Sequence, residues 1–547
     1  MKKIERWLLV GLVALWALLF LPNLRTNPNW YGDEGEWMEK CWQLAHGHAH
    51  IGPVSNDFIY PYPYPPVYMW VNGAALRLFG NDVGVGRAVG ALTALAAAGI
   101  LFWIGRRLKD EWLGFLGAAA LLVYENADVN FRWVRSHPLT GTLALASAGF
   151  LIQYLQTKRL RDLAWAGGFT ALATGCNYYA VGMIPGVIAV AVWVNWQRWR
   201  EGAAWRALGL AAVTAGAFGL VFAGWYLATQ GNVSHLREQV RLMSGMAEPT
   251  PVSEILTRIG KFLFDTPTAL GASGPTGKDW WLCVAGLGLV LFPVRRLRVW
   301  LVVWVLLLMW PIFKKQDNVS WFFYPAMIFL PLLALGVGGA LYQAGQWVAR
   351  ILRTETLAAR VGPGLIALVL WCGPTATGAW GHFNTLIDGF TQHSIPDAEA
   401  ALTFVNDHTT ADDFVLVPKQ IYWLVKQARR SMLSHCGPYI GQPNGAWPAP
   451  IPRTAYWFDC RWQNAKYAVL ASGADRQGRA FGIDLNYTRG AAGGQEVVAG
   501  MVAEHWPVVF PQPAQVVYPP QLSGRWPVLL DGEYLVLANP RFIKDVK

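Results

Sequence analysis

Apolar runs long enough to span a bilayer recur through the first two-thirds of the chain, each broken by a short polar stretch. A transmembrane helix needs about 20 mostly apolar residues. The pattern predicts spans over approximately 7–22, 83–104, 112–128, 138–156, 163–178, 179–196, 207–228, 280–295, 299–313, 321–345 and 364–381, about 11 helices in all. The run from Val67 to Gly80 is amphipathic and too short to cross, which predicts a helix lying on the membrane surface. From about residue 396, Asp, Asn, Pro and Gly become frequent and no further span occurs. There the pattern predicts a helix over Asp397–Asp407, strands at 414–417, 467–470 and 534–537, and a helix over Ile421–Ala428. Helices alternating with strands predict a small α/β domain. The expected organisation is a polytopic α-helical membrane domain over 1–381, with large loops at 23–82 and 229–279, followed by a soluble α/β domain over 382–547.

Charge sets the orientation. Basic clusters stand at Lys2/Lys3/Arg6, Arg106/Arg107/Lys109, Lys158/Arg159/Arg161, Arg198/Arg200/Arg206, Arg295/Arg296/Arg298 and Arg350/Arg353/Arg360, with room for two spans between neighbours. Cytoplasmic loops carry the excess of Lys and Arg. The N-terminus is therefore expected in the cytoplasm, and an odd number of spans puts the C-terminal domain outside. The apolar run Trp7–Leu21 could pass for a signal peptide, but Pro22-Asn23-Leu24-Arg25 follows where a small-x-small cleavage site would stand, so a retained first helix is expected. Composition agrees: 54% of the 547 residues are hydrophobic and 14% charged, against roughly 25% charged in soluble domains. The net charge of +11 lies in these topological clusters, which argues against nucleic acid as a partner.

Four basic residues, Arg132, Arg135, Lys314 and Lys315, fall on the outer side against the bias. They are either tolerated exceptions or retained to bind an anion. The first outer loop reads Tyr31-Gly32-Asp33-Glu34-Gly35-Glu36, placing two adjacent carboxylates just beyond the first span. Asp33 with Glu36 three residues on has the spacing of a capping box. Such a cap contributes about 0.5–2 kcal/mol to a helix. A positioned carboxylate can equally act as a general base toward a hydroxyl, and the two roles are compatible. Facing a phosphate, such a pair could also hold a divalent ion. His46, His48 and His50 alternate as a metal site or a polar loop would. The segment 232–241 opens like an amphipathic helix, either a mobile lid or a static interfacial element. Cys176, Cys283 and Cys372 are expected to pack as small apolar groups, Cys436 and Cys460 could form a disulfide if their region is outside the cytoplasm, and no paired Cys spacing points to metal.

The order of elements resembles the GT-C superfamily of glycosyltransferases, in the branch of the protein O-mannosyltransferases and lipid A aminoarabinose transferases. The resemblance rests on Tyr31-Gly32-Asp33-Glu34, Pro65-Pro66-Val67-Tyr68-Met69-Trp70, Leu78-Phe79-Gly80, Arg87, and Lys314-Lys315 followed by Trp321-Phe322-Phe323-Tyr324-Pro325, over about 340 residues. It implies a GT-C fold and an inverting transfer: an acceptor hydroxyl on a protein or glycolipid attacks the anomeric carbon of a sugar carried on a polyprenyl phosphate. Asp33 would be the base and Glu34 its neighbour. Arg87, Arg132, Arg135, His137, Lys314 and Lys315 would meet the phosphate, and Tyr31, Tyr64, Tyr68 and Tyr324 would line the cavity. Relatives place a second acid where this chain has His137, which leaves Asp128, a phosphate-binding histidine, or a plain helix cap as the options there. Tyr64 replaces the Lys that aminoarabinose transferases often carry before Pro-Pro. Two other readings stay open: a transporter or flippase of lipid-linked glycans, and a membrane scaffold whose outer domain binds a partner.

Overall fold

The computed structural model describes residues 3–26, 32–47, 65–108, 110–198, 202–230, 250–265, 280–315, 323–354, 356–371, 394–431, 461–471, 473–474, 480–481, 500–501, 503–510 and 534–542. Tyr31, Tyr64, His48, His50, the 232–241 segment, Cys372, Cys436 and Cys460 lie outside them.

Helices, most of them apolar, build the first part. They are α1 (Lys3–Phe20), α2 (Gly32–Ala45), α3 (Val67–Phe79), α4 (Val83–Arg107), α5 (Glu111–Leu122), α6 (Glu125–Arg132), α7 (Ser136–Thr157), α8 (Leu160–Cys176), α9 (Met183–Asn195) and α10 (Gly202–Gln230). After α11 (Val252–Gly260) come α12 (Trp280–Val290), α13 (Arg295–Lys315), the single turn α14 (Phe323–Ala326), α15 (Leu330–Ile351) and α16 (Leu357–Trp371). Among the described residues five stretches are long and apolar enough to cross a membrane: Val83–Arg107, Ser136–Thr157, Tyr178–Asn195, Ala204–Val221 and Arg295–Lys314. The predicted third span, 112–128, is divided. It ends with α5 at Leu122, and the polar residues Glu125, Asn126, Asp128 and Asn130 continue as the separate helix α6.

The ends of the bundle differ in charge. At one end, Arg106 pairs with Glu5 at 3.4 Å, joining the start of α1 to the end of α4. There Gln156 of α7 donates to the Arg107 carbonyl at 3.4 Å. Asp162 of α8 accepts from Gln153 and Thr157 at 2.9 and 2.5 Å. Lys158 closes α7 in the left-handed conformation. The basic clusters of the first, second and third groups therefore meet at one end. The opposite end carries α2, α3, the α4 N-terminus and the α6–α7 turn.

Close backbone approach fixes this second end. A Cβ on Gly90 of α4 would stand 1.9 Å from the Phe131 carbonyl oxygen of α6. Only glycine lets the turn bearing Arg132 and Arg135 sit so near α4.

Among the described residues, the C-terminal part holds α17 (Ser394–Asp407) and seven strands: β1 (Phe414–Leu416), β2 (Arg429–Ser431), β3 (Tyr467–Ala471), β4 (Gly473–Ala474), β5 (Ala480–Phe481), β6 (Val508–Phe510) and β7 (Tyr534–Ala538). Five form one sheet in the order β2-β1-β3-β7-β6, with β1 parallel to β2 and β3, and β7 antiparallel to β3 and β6. Ala398, Ala401, Leu402 and Val405 of α17 pack on Val415, Val469 and Val536. The helix expected over Ile421–Ala428 is instead a 3₁₀ turn over Lys419–Leu424. Asn406 explains the difference: its side chain donates to the Leu424 carbonyl at 2.9 Å and accepts from the Lys426 N–H at 2.9 Å. Those backbone groups are thus held by a side chain and do not form α-helical bonds.

Candidate functional site

The helix of the first loop is α2. It begins at Gly32, so Asp33 lies inside its first turn and not at the cap position that the capping-box spacing predicted. Glu34 is buried, and Arg87 of α4 holds it in a two-pronged ion pair, Nε to Oε1 and Nη2 to Oε2, each 2.7 Å. Side-chain exposure is 0% for Arg87 and 1% for Glu34. Arg87 also donates to the Leu24 carbonyl at 3.1 Å, and Glu34 Oε1 accepts from the Val134 N–H at 3.1 Å. One carboxylate therefore ties together the end of α1, helix α2, helix α4 and the α6–α7 turn. Two parallel charge-assisted hydrogen bonds are the strong form of this interaction. Both partners were expected to face substrate, and the structure turns them to each other. Both Glu34 oxygens are engaged, which does not suit Glu34 to a divalent ion. Among the described residues no group of three His, Cys, Asp or Glu is placed to hold a metal.

Arg132 and Arg135 are buried beside this clamp. Arg132 Nη2 donates to the Pro22 carbonyl. The Arg135 guanidinium lies 5.6 Å from the centroid of the Trp133 ring. Arg135 occupies the cap position of α7, and His137, also buried, sits in the first turn of that helix. Helix α7 starts one residue before His137, so His137 does not serve as its cap. Asn177 at the end of α8 donates to Ser136 Oγ at 3.3 Å, adding a further polar group. Lys314 and Lys315 close α13, and the Lys314 carbonyl accepts from Thr250 at 3.3 Å. Arg258 of α11 donates to the neighbouring Phe313 carbonyl at 2.9 Å. Tyr324 lies in α14. The backbone of Asp128 lies in α6.

Tyr68 of α3 is buried against Trp37 of α2, ring centroids 5.4 Å apart and edge-on. Its hydroxyl accepts from Asn72 at 2.9 Å. Burial pushes the Tyr68 hydroxyl well above the ordinary tyrosine range, and the Cys41 thiol of α2 is likewise pushed up by burial. Both are neutral spacers in an apolar patch that also contains Met38, Met69, Leu76 and Val134. His46 is exposed, with Nδ1 2.8 Å from the Trp42 carbonyl.

Three buried charges at this end escape the sequence pattern. Lys40 of α2 is fully buried, with its ammonium 5.3 Å from the Trp37 ring centroid. Glu39 of α2 pairs with Arg430 of β2, and both are buried. A Lys or Arg in a polar C-terminal stretch carries no local signal of a partner nearly 400 residues earlier.

This architecture, a helical bundle with buried polar side chains gathered under a first-loop helix, is a fold shared with solved membrane proteins. Residues 63–219 match the family model for dolichyl-phosphate-mannose-protein mannosyltransferase. Two crystal structures of ArnT from Cupriavidus metallidurans share the fold. The one bound to undecaprenyl phosphate has a TM-score of 0.58 at 14% identity and covers 98% of each chain. The apo form has a TM-score of 0.60 at 13% identity and covers 97% of each. The apo oligosaccharyltransferase of Archaeoglobus fulgidus has a TM-score of 0.53 at 11% identity, over 86% of this chain and 70% of that one. No curated protein matches the sequence. The resemblance read from the motifs thus holds at the level of the fold, and the chain is a multi-pass membrane protein.

Proposed function

We propose that this protein is an inverting glycosyltransferase that moves a sugar from a polyprenyl-phosphate carrier to an acceptor hydroxyl at the outer face of the membrane. The observation that carries the reading is the buried Glu34–Arg87 pair, which fastens the first turn of α2 beside Arg132, Arg135 and His137. Position 33 then lies in the first turn of a helix fastened at the bundle end that carries Arg132, Arg135 and His137. The relative with undecaprenyl phosphate bound supports a lipid phosphate as the donor's leaving group.

In this mechanism the acceptor oxygen attacks the anomeric carbon from the side opposite the phosphate. Its proton passes to the Asp33 carboxylate. The bond between the anomeric carbon and the phosphate oxygen breaks, and the phosphate leaves with the electron pair. Arg132, Arg135, His137, Lys314 and Lys315 are the groups assigned to its charge, since fixed cations stabilise a developing anion. Glu34 and Arg87 hold the base in place and do not touch substrate. The positive-inside rule puts the basic end in the cytoplasm, and the site and C-terminal unit outside.

The test is a transfer assay with radiolabelled polyprenyl-phosphate sugars and membranes containing the protein. Asp33→Asn is expected to lower transfer by about 10²–10⁴-fold, the range of a positioned general base. Transfer at the wild-type rate by a folded Asp33→Asn protein removes Asp33 from the chemistry.

A further inference from the structure

The C-terminal unit grips the site end at three places. Arg430 Nη2 donates to Glu39 Oε1 of α2, with both side chains under 5% exposed. Arg25, just past α1, pairs with Asp82 at 3.0 Å and also with Glu399 of α17. Trp423 is buried in the apolar patch of Trp37, Met38 and Tyr68, and its carbonyl accepts from Asn81 at 3.4 Å. Glu39 is further held within its own helix by Gln43, at 2.8 Å.

Helix geometry gives these contacts a consequence. Residues in an α-helix advance about 100° each, so Glu34 and Glu39 lie about 140° apart around α2. Glu34 is fixed by the bundle through Arg87, and Glu39 by the C-terminal unit through Arg430. A single clamp leaves a helix free to roll about the point held. Two buried clamps on different sides remove that freedom. Position 33 is one step from the first clamp and shares a stripe with positions 37 and 40, whose side chains are buried.

We infer that Arg430 is a positioning residue for the transfer reaction: by pairing with Glu39 it sets the rotation of α2, and with it the aim of Asp33. This makes the C-terminal unit a working part of the site. The inference rests on the glycosyltransferase reading for its kinetic consequence, but not for its structural one.

The experiment therefore has two arms, both on the full-length protein in nanodiscs. In the first, amide hydrogen exchange is followed over residues 32–45 and over residues 136–157 of α7. Arg430→Ala is expected to speed exchange in 32–45 at least tenfold and leave 136–157 unchanged. Arg430→Lys should fall between, and the exchanged pair Glu39→Arg with Arg430→Glu should recover wild-type protection. Unchanged exchange in 32–45, or equal acceleration in both segments, overturns the inference. In the second arm, Arg430→Ala is expected to lower kcat at least tenfold with the donor KM within threefold, and Arg430→Lys to restore part of the rate. A wild-type kcat in Arg430→Ala overturns it when Asp33→Asn is inactive in the same assay. If Asp33→Asn is instead fully active, the general-base reading fails and the exchange arm alone decides the clamp. If Arg430→Ala does not fold, the exchanged pair decides: recovery supports the inference and failure to recover overturns it.

Discussion

Glu34 and Arg87 form a buried ion pair, with side-chain exposures of 1% and 0%. Moving either ion out of water costs several kcal/mol, recovered through the pair and its hydrogen bonds to Leu24 and Val134. Removing one partner strands the other. Arg87→Ala is therefore expected to destabilise the protein by about 3–5 kcal/mol, read as a large fall in the thermal midpoint in detergent. Arg87→Lys keeps the charge but loses the fork, since an ammonium is a point charge and guanidinium a planar pair of donors. It should fall between wild type and Arg87→Ala. If Arg87→Ala unfolds at the wild-type midpoint while transfer is lost, Arg87 belongs with the substrate ligands and not with the frame. Read as single positions, Asp33, Glu34 and Arg87 all stood out in the sequence. That two of them neutralise each other did not, because pairing over 53 residues is decided by how α2 lies on α4.

At the scale of the element, periodicity carried most of what could be read. Strands β1 (Phe-Val-Leu), β3 (Tyr-Ala-Val-Leu-Ala) and β7 (Tyr-Leu-Val-Leu-Ala) are short apolar runs, the pattern expected of buried strands. Strand β2 is Arg429-Arg430-Ser431 at the sheet edge, a polar triplet with no periodic signal. It was missed, and with it the residue that reaches α2. The 3₁₀ turn at Lys419–Leu424 was misread because the competing hydrogen bonds come from Asn406, on another element. Packing glycines were silent for the same reason: nothing near Gly90 in sequence says that Phe131 lies against it. Gly90→Ala is expected to force α6 away from α4, since the clash is with backbone and not with a side chain that can swing aside. Overpacking of this kind costs about 1–3 kcal/mol. The measurement is the shift in thermal midpoint together with the rate of transfer, because the displaced turn carries Arg132 and Arg135. No change in either would mean the two helices separate without consequence.

Across the whole molecule, the grouping of basic clusters at one end gives the orientation a direct check. Asp412 is exposed in the C-terminal unit, and Arg353 is exposed at the end of α15 that leads into α16. A membrane-impermeant thiol reagent on intact cells is expected to label Asp412→Cys and to spare Arg353→Cys until the membrane is opened. Reversed labelling would place the site in the cytoplasm. The multi-pass membrane character of the part before the C-terminal unit was legible because a bilayer imposes long apolar runs. The joint between the two parts was not, since it is built from a few charged residues far apart in sequence.

The strand order has a consequence in time. Strand β7, residues 534–538, lies inside the sheet between β3 and β6. The sheet therefore closes only after residues 534–538 have been made, hundreds of residues after α2. The second fastening of α2, through Arg430 of β2, thus belongs to a sheet completed by a strand made long after α2 itself. A chain stopped before residue 534 would carry α2 held to the bundle by the Glu34–Arg87 pair while the sheet bearing Arg430 was still incomplete.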